Sequence, residues 1–493
     1  MLLDDLLTHL KESGHTIDTY NMAGPLAPIE SLSLDSRTLQ KGSLFIALKG
    51  THANGEEFIS DAIQKGAAAV LISQKGIGQH TSHHQETPFI ALDNIRLATS
   101  QLSKLFYPSQ PETTIAVTGT NGKTSTADFT RQIWETLGHK GASLGTLGVR
   151  SKSYMLEKHL TTPEAPYLHQ VLQNLQMNQI DHLAMEASSH GIDQHRLDSV
   201  DIKAAGFTNI SPEHLDYHET MEAYLQAKLG LFQRILPSNG TCVLNADIPA
   251  FQKIKSACAP HPVLSYGRHA EDIQIQSIAP SDTGQHMILS VLGQPFEIAF
   301  PLIGEFQAYN ALCALGLVLA CDKGCLPDAV KALETLQSIP GRLEHIASTP
   351  SGAHIYIDYA HTPDGMQNLL MALRNHTKNK LHLVFGGGGN RDESTRLSRG
   401  ALAHKLADTT YICDDNPRDE DPKKIRDQIL EGCPSAWEIP DRTKAILDAI
   451  HSLEEGDILV VAGKGREQGQ IIQGTTHPFD DAQTILDTLQ ELP

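Results

Sequence analysis

No run of about 18 apolar residues occurs in this chain, so the sequence offers no membrane-spanning helix. The opening Met1-Leu-Leu-Asp-Asp lacks the basic segment leading into an apolar stretch that marks a secretory signal, and a cytoplasmic location is expected. The seven cysteines include no Cys-x-x-Cys pair and no zinc-ligand spacing; their odd number and scatter fit reduced thiols in a cytosolic enzyme. An excess of positive charge is missing too. Lys and Arg total 39 against 58 Asp and Glu, a net charge of −19, which argues against a dominant nucleic-acid role. Anionic substrates stay open, because a local cluster of Arg and Lys can overcome a distant net field. No internal repeat or low-complexity segment is present.

What is there is ordinary in bulk: 40% hydrophobic and 20% charged residues, as in a soluble globular protein. A chain of 493 residues exceeds one typical core, and about three domains are expected. Residues 1–93 alternate helical and strand patterns, with Ser43-Leu-Phe-Ile-Ala-Leu48 as a strand. Residues 75–86 read as a polar surface loop, and its His80, His83 and His84 have no acidic or Cys partner at ligand spacing. A second domain, residues 94–338, repeats strand-then-helix units, which predicts a mostly parallel sheet covered on both faces. The pattern restarts at Pro340-Gly341. Strands are expected at Ile355-Tyr-Ile-Asp358, Leu381-His-Leu-Val-Phe385, Thr410-Tyr-Ile-Cys413 and Ile458-Leu-Val-Val-Ala462, within a third α/β domain over residues 339–493.

Chemistry first shows at Thr114-Ile-Ala-Val-Thr-Gly-Thr-Asn-Gly-Lys-Thr-Ser125. A β-branched strand leads into a Gly-containing turn, and a helical pattern opens at Lys123-Thr124, which is the layout of a phosphate-binding loop. Backbone N–H groups from Gly119 through Thr120 and Asn121 to Gly122 can face phosphate oxygens. Lys123 supplies a mobile cation, and Thr124 a hydroxyl suited to Mg²⁺. Val117 stands where the general nucleotide-loop pattern has glycine. Two polar segments follow apolar strands, Met185-Glu-Ala-Ser-Ser-His-Gly191 and Thr208-Asn-Ile-Ser-Pro-Glu-His-Leu-Asp-Tyr-His218. Ligands of parallel sheets lie beyond the carboxyl ends of strands, so Glu186, His214 and Thr124 are expected to converge on the phosphates. Carboxylate, hydroxyl and imidazole together suit Mg²⁺ or Mn²⁺. Taken singly, Glu186 reads equally as a helix N-cap and His214 as a turn residue.

The tight form Gly-Thr-Asn-Gly-Lys-Thr is the hallmark of the superfamily that joins Mur ligases and folylpolyglutamate synthetases. With Glu186-Ala-Ser-Ser-His190, residues 207–218, Tyr224-Leu-Gln-Ala-Lys228, Pro340-Gly-Arg-Leu-Glu344, Asp358-Tyr-Ala-His-Thr-Pro363 and Asp415-Asn-Pro-Arg418, the chain resembles a Mur ligase. The type resembled adds the third residue of the peptidoglycan stem peptide. The resemblance implies a central P-loop ATPase domain, an N-terminal UDP-binding α/β domain and a C-terminal Rossmann-like α/β domain. It implies a cytosolic, monomeric enzyme with no nucleic-acid or membrane partner, using ATP and Mg²⁺. That enzyme would add meso-2,6-diaminopimelate to the D-Glu γ-carboxylate of UDP-MurNAc-L-Ala-D-Glu through an acyl phosphate.

Site roles carry over residue by residue. Lys123, Lys228 and His214 would be catalytic, with Lys228 carbamylated by CO₂ and joining Thr124, Glu186 and His214 at metal. ATP would be held by residues 119–125, including Ser125, and by Asn310, Arg342, Asp358 and His361; Gln307 stands where the family usually has Asn. Leu34, Ser36, Thr51, His52, Ala53, Thr161, Thr162, Ser188, Gln194 and Arg196 would hold the UDP-sugar-peptide. Arg391, Asp415, Asn416, Pro417, Arg418, Gly463 and Glu467 would form the diaminopimelate pocket. Arg418 is the specificity signal, since a buried guanidinium favours the second carboxylate of diaminopimelate over lysine. Two alternatives remain: another ligase of the superfamily (lysine-adding or folate-directed), and a P-loop ATPase that forms no amide.

Overall fold

The computed structural model describes every residue except 23–26, 51–52, 157–159, 282–283 and 491–493. Three large sheets follow one another along the chain, with five, eleven and six strands, and a two-stranded hairpin lies near the end. The chain is α/β throughout, and its strands and helices alternate.

The central sheet is built on Thr113–Thr118, a strand buried at every position. β-Branched residues on both faces suit a strand covered from both sides. His182–Glu186 and Ala204–Phe207 flank it in parallel, and the parallel run continues from Gly141–Gly145 to Ile273–Pro280. Antiparallel ribbons close both edges, one made by residues 273–300 and the other by residues 141–156. The sheet is mostly parallel, as expected, and these edge ribbons are its antiparallel part, which was not foreseen. Their signal was present as period-two burial, with Met287, Leu289 and Val291 inward and His286 and Ile288 outward. On one face Lys123–Thr136 and Glu305–Cys321 share a core that includes Phe129, Ile133, Leu312 and Leu315.

The first sheet carries Leu3–Glu12 and Ile95–Phe106 on one face, through Leu6, Leu10, Ala98 and Leu102. Its packing layer therefore runs past residue 93, the expected boundary, to the end of that second helix. Within residues 75–86 the chain forms a single helical turn, Ile77–His80, where a plain loop was expected.

In the third sheet the strands His354–Asp358, Ile458–Ala462, Leu381–Phe385 and Thr409–Ile412 lie side by side in parallel. Helices cover both faces. Arg442 and Asp481, both fully buried, tie Arg442–His451 to Asp481–Gln490 through two 2.7 Å bonds. The same guanidinium donates to the Ala462 carbonyl, 3.1 Å away, at the end of a strand. Arg442→Met would strand the Asp481 carboxylate and should cost about 3–5 kcal/mol. The check is urea unfolding of the full chain followed by circular dichroism, and an unmoved transition would contradict it.

Candidate active site

The loop after Thr113–Thr118 takes its shape from two glycines. Gly119 has φ +144°, and a Cβ there would lie 2.0 Å from Thr208 Oγ1. Gly122 has φ +86° and would meet Asn310 Oδ1 at 2.2 Å. Only glycine fits either position without displacement. The loop is braced by the segment that follows Ala204–Phe207. Thr120 N donates to the Asn209 carbonyl and Asn121 N to Asn209 Oδ1, each at 2.9 Å. Lys123 Nζ folds back over the loop, donating to the carbonyls of Gly119 and Thr120 at 2.8 and 2.7 Å.

Adjacent strand ends bring the expected polar groups together. Thr124 Oγ1 donates to Glu186 Oε1 at 2.9 Å, and Thr146 adds its N–H to the same oxygen and its hydroxyl to Oε2. Thr146 was not singled out from the sequence. His214 sits in the left-handed region at φ +57°, and burial lowers its imidazole pKa, which keeps a nitrogen lone pair free. Burial likewise pushes His190, whose ring is 4.8 Å from that of His214, down to about 4.

Lys228 stands on Met221–Gly230 and is buried. Its Nζ donates to the Gly119 carbonyl at 2.8 Å and lies 4.3 Å from the centre of the Tyr224 ring. Desolvation, assisted by the nearby Lys123 charge, holds its amine well below the ordinary lysine range. An ordinary solvated helix lysine is thereby excluded. The anion facing these cations is Glu213, which sequence reasoning missed. Neighbouring Lys123, His214 and His361 hold its carboxyl well below the usual carboxylate range, against the opposing effect of burial. His361 Nε2 approaches Glu213 Oε1 at 3.4 Å. The signal was there, as the Glu immediately before His214.

From the third sheet side, Arg342 Nη2 donates to Thr124 Oγ1 at 3.2 Å while its guanidinium lies over the Tyr359 ring. Asp358 accepts the N–H groups of Leu343 and Ala360, and burial raises its pKa against the pull of Arg342. Gln307 accepts from Asn310 at 3.1 Å and donates to the Arg342 carbonyl at 3.4 Å, so it holds both in register.

A cavity of about 760 Å³ joins this site to Arg391, Asp415, Asn416, Arg418, Gly463 and Glu467. Arg418 Nη1 donates to the Gly389 carbonyl at 2.6 Å, and among the described residues its guanidinium makes no ion pair. Asn416 Nδ2 donates to Glu467 Oε2 at 2.9 Å. Pro417 is buried at the turn, and its carbonyl leaves no room for a Cβ on Gly389.

Of the residues expected to hold the UDP-sugar-peptide, Thr161 and Ser188 line the cavity. Thr162, Gln194 and Arg196 cluster beside it. Arg196 pairs with Glu164 at 2.7 Å and donates to the Thr162 carbonyl and Gln194 Oε1. Arg96, another residue the sequence did not flag, bridges Gln194 Oε1 and the Lys49 carbonyl. Leu34, Ser36 and Ala53 lie apart from the cavity lining, on the first sheet's side. Thr51 and His52 are outside the described residues.

Comparison with known proteins gives three matched regions. They are the Mur ligase family catalytic domain over residues 28–107, the Mur ligase middle domain over 117–318, and the Mur ligase glutamate ligase domain over 341–465. A UDP-N-acetylmuramoyl-L-alanyl-D-glutamate–2,6-diaminopimelate ligase of Caulobacter vibrioides is 45% identical over 472 residues, covering 94% of this chain and 95% of that protein. Its counterpart from Bradyrhizobium diazoefficiens is 41% identical, covering 93% and 94%. A solved structure of a ligase of the same name is 32% identical with a TM-score of 0.66, covering 94% and 95%. A D-alanyl-D-alanyl-adding ligase from Acinetobacter baumannii, 21% identical with a TM-score of 0.63 over 99% and 96%, shares the fold.

Glu213 raises the pKa of Lys123, opposing the desolvation that lowers it. In Glu213→Gln the Lys123 ammonium should therefore lose its proton at lower pH. The alkaline limb of ADP affinity would move to lower pH, read by titrating a fluorescent ADP analogue at stepped pH. Superimposable profiles would contradict the assignment.

Proposed function

Since the chain belongs to the Mur ligase family, we propose that it joins meso-2,6-diaminopimelate to the γ-carboxylate of D-glutamate in UDP-MurNAc-L-Ala-D-Glu. ATP drives the ligation, as in that ADP-forming family, and the product is a cytoplasmic peptidoglycan precursor. The observation that carries the reading is the continuous cavity. It joins Lys123, Thr124 and Glu186 to a pocket whose lining includes Arg391, Arg418, Asp415 and Glu467. An ATPase without ligase activity has no use for that second pocket.

The chemistry runs in two steps. A γ-carboxylate oxygen attacks the γ-phosphorus of ATP, the bond to the bridging oxygen breaks, and ADP leaves. The amine of diaminopimelate then attacks the acyl phosphate carbonyl, gives up a proton, and expels phosphate through a tetrahedral intermediate. The Thr120 and Asn121 N–H groups, expected to face phosphate, are taken by Asn209, so Lys123 and the N–H groups that open its helix would hold the phosphates, and Arg342 would add positive charge as negative charge spreads. Arg418 and Arg391 would orient diaminopimelate by its carboxylates, with Glu467 near an ammonium. Thr124, Glu186 and His214 offer hydroxyl, carboxylate and neutral imidazole, a donor set that fits Mg²⁺. Bound there, Mg²⁺ would neutralise phosphate charge.

Lys228 supports a further part of the reading. A buried, unprotonated amine attacks CO₂, forms an N–C bond and releases a proton to leave a carbamate. That anion beside Lys123 and His214 would complete the metal ligands. UDP contacts would fall to Leu34, Ser36 and the loop reaching Ala53.

The defining assay measures ADP release with ATP, Mg²⁺ and UDP-MurNAc-L-Ala-D-Glu, with products weighed by mass spectrometry. A tripeptide product is expected with diaminopimelate and none with L-lysine. Product with lysine would sink the Arg418 argument, and ADP without any ligated product would favour a plain ATPase. Separately, Lys228→Ala should lower turnover about 10–100-fold, the usual cost of disturbing a metal-site support. It should also remove a ¹³C carbamate resonance seen with labelled bicarbonate. Wild-type turnover in that variant would dismiss the carbamate.

A further inference from the structure

Lys464 has no solvent exposure at all. It lies between Gly463 and Gly465, both in the left-handed region at φ +109° and +54°. Its Nζ donates to Asn416 Oδ1 at 3.0 Å and Glu467 Oε2 at 3.2 Å, and stands 3.6 Å from Asp415 Oδ1. Asn416 in turn donates to Glu467 Oε2 and accepts the N–H of Ile471 at 2.9 Å. Asp415, Asn416, Gly463 and Glu467 all line the cavity, and Lys464 does not.

The geometry points to Lys464 as a positioning residue for the amino-acid substrate, acting from behind the pocket through Asn416 and Glu467. This rests on the reading of that pocket as the diaminopimelate site. Burying an ammonium is costly unless it is paired and hydrogen-bonded. Here one ammonium meets two carboxylates, and the Asp415 charge is also offset by the buried Arg399, which leaves Glu467 as the acidic group of this arm. Arg391 and Arg418 supply positive charge within the same pocket. The pocket is thus dipolar, matching a zwitterion: ammonium toward Glu467, carboxylate toward the guanidiniums. Lys464 fixes which Glu467 oxygen is engaged and leaves Oε1 for the substrate. It also holds the Asn416 amide by its oxygen, so its NH₂ must face Glu467.

The test is steady-state kinetics on the full chain at saturating UDP-substrate, comparing Lys464→Met, Lys464→Gln, Glu467→Gln and the double variant K464M/E467Q. Lys464→Met should raise KM for diaminopimelate about tenfold or more and leave KM for ATP within about twofold, as expected when ground-state binding alone is lost. The double variant should be no worse than the worse single, since both act on one contact. Lys464→Gln, which keeps a bond to Asn416 but no charge, should also raise that KM, and it decides the matter if Lys464→Met does not fold. Wild-type KM for diaminopimelate in the variants, additive losses, or an equal rise in KM for ATP would each overturn the inference. A wild-type chain that fails to ligate diaminopimelate would overturn the pocket reading instead.

Discussion

Parallel pairing of Glu186 with Val117 fixes the site on which the rest depends. The pairing brings two strand ends level, and the chain leaves one as the phosphate loop and the other as a carboxylate. Ala187 N donates to the Val117 carbonyl at 2.8 Å, so the register is held one residue beyond the strand. From there Thr124, at the start of its helix, reaches Glu186 without strain. The next strand over must then end in glycine, since a Cβ on Gly145 would sit 2.0 Å from Glu186 Oε1. A one-residue slip would turn Glu186 to the other face of the sheet and leave Thr124 without its partner.

Burial then decides the chemistry of what gathers there. In a chain of net charge −19, the groups around the loop are a concentrated cationic set: Lys123, Lys228, Arg342 and the histidines. Like charges in a low dielectric repel, and the relief falls on the group easiest to discharge. Lys228 is that group. Burial and the Lys123 charge both press on it with only Glu213 opposing, whereas Lys123 has Glu186 as well as Glu213. The same physics makes Glu213 a firm anion and His190 a neutral ring. Protonation states here follow from neighbours more than from residue type.

Much of this was readable in the sequence because the signals were local. The Gly119–Ser125 loop, the strands ending at Glu186 and at Asp358, and the turn at Asp415 each carry their meaning within a few residues. The third-sheet strands at Leu381–Phe385 and Ile458–Ala462 begin and end where their apolar runs do. What escaped was relational. Glu213, Thr146, Arg96 and Lys464 look like loop or surface residues until distant segments close around them. The partners that bring them to the site lie far off in sequence: Glu186 is 40 residues from Thr146, Gln194 is 98 from Arg96 and Asn416 is 48 from Lys464. The edge ribbons were missed for a different reason: the helix-strand rhythm of the centre was extended outward, past a clear change to period two at Gln285–Val291.

The contacts that join the third sheet to the loop are polar and few. Arg342 reaches Thr124, Asn121 reaches Asp364 at 3.0 Å, and His361 faces Glu213. Each is partly solvated, so each is worth little more than the water it replaces. Beside them Ile303 and Phe306 pack against the third-sheet core, so the seam as a whole is mixed, with its polar part at the loop. Arg342, Asn121, Thr124 and His361, which take part in it, are also residues proposed to hold ATP. Thr124 Oγ1 accepts from Arg342 through the oxygen that a divalent cation would use, so guanidinium and cation are alternatives at that atom. A cation held there would leave Arg342 to turn to the phosphates of the proposed ATP. On the proposed reading, closure and charge stabilisation would then depend on the same side chain, which would couple the arrival of nucleotide to the position of the amino-acid pocket.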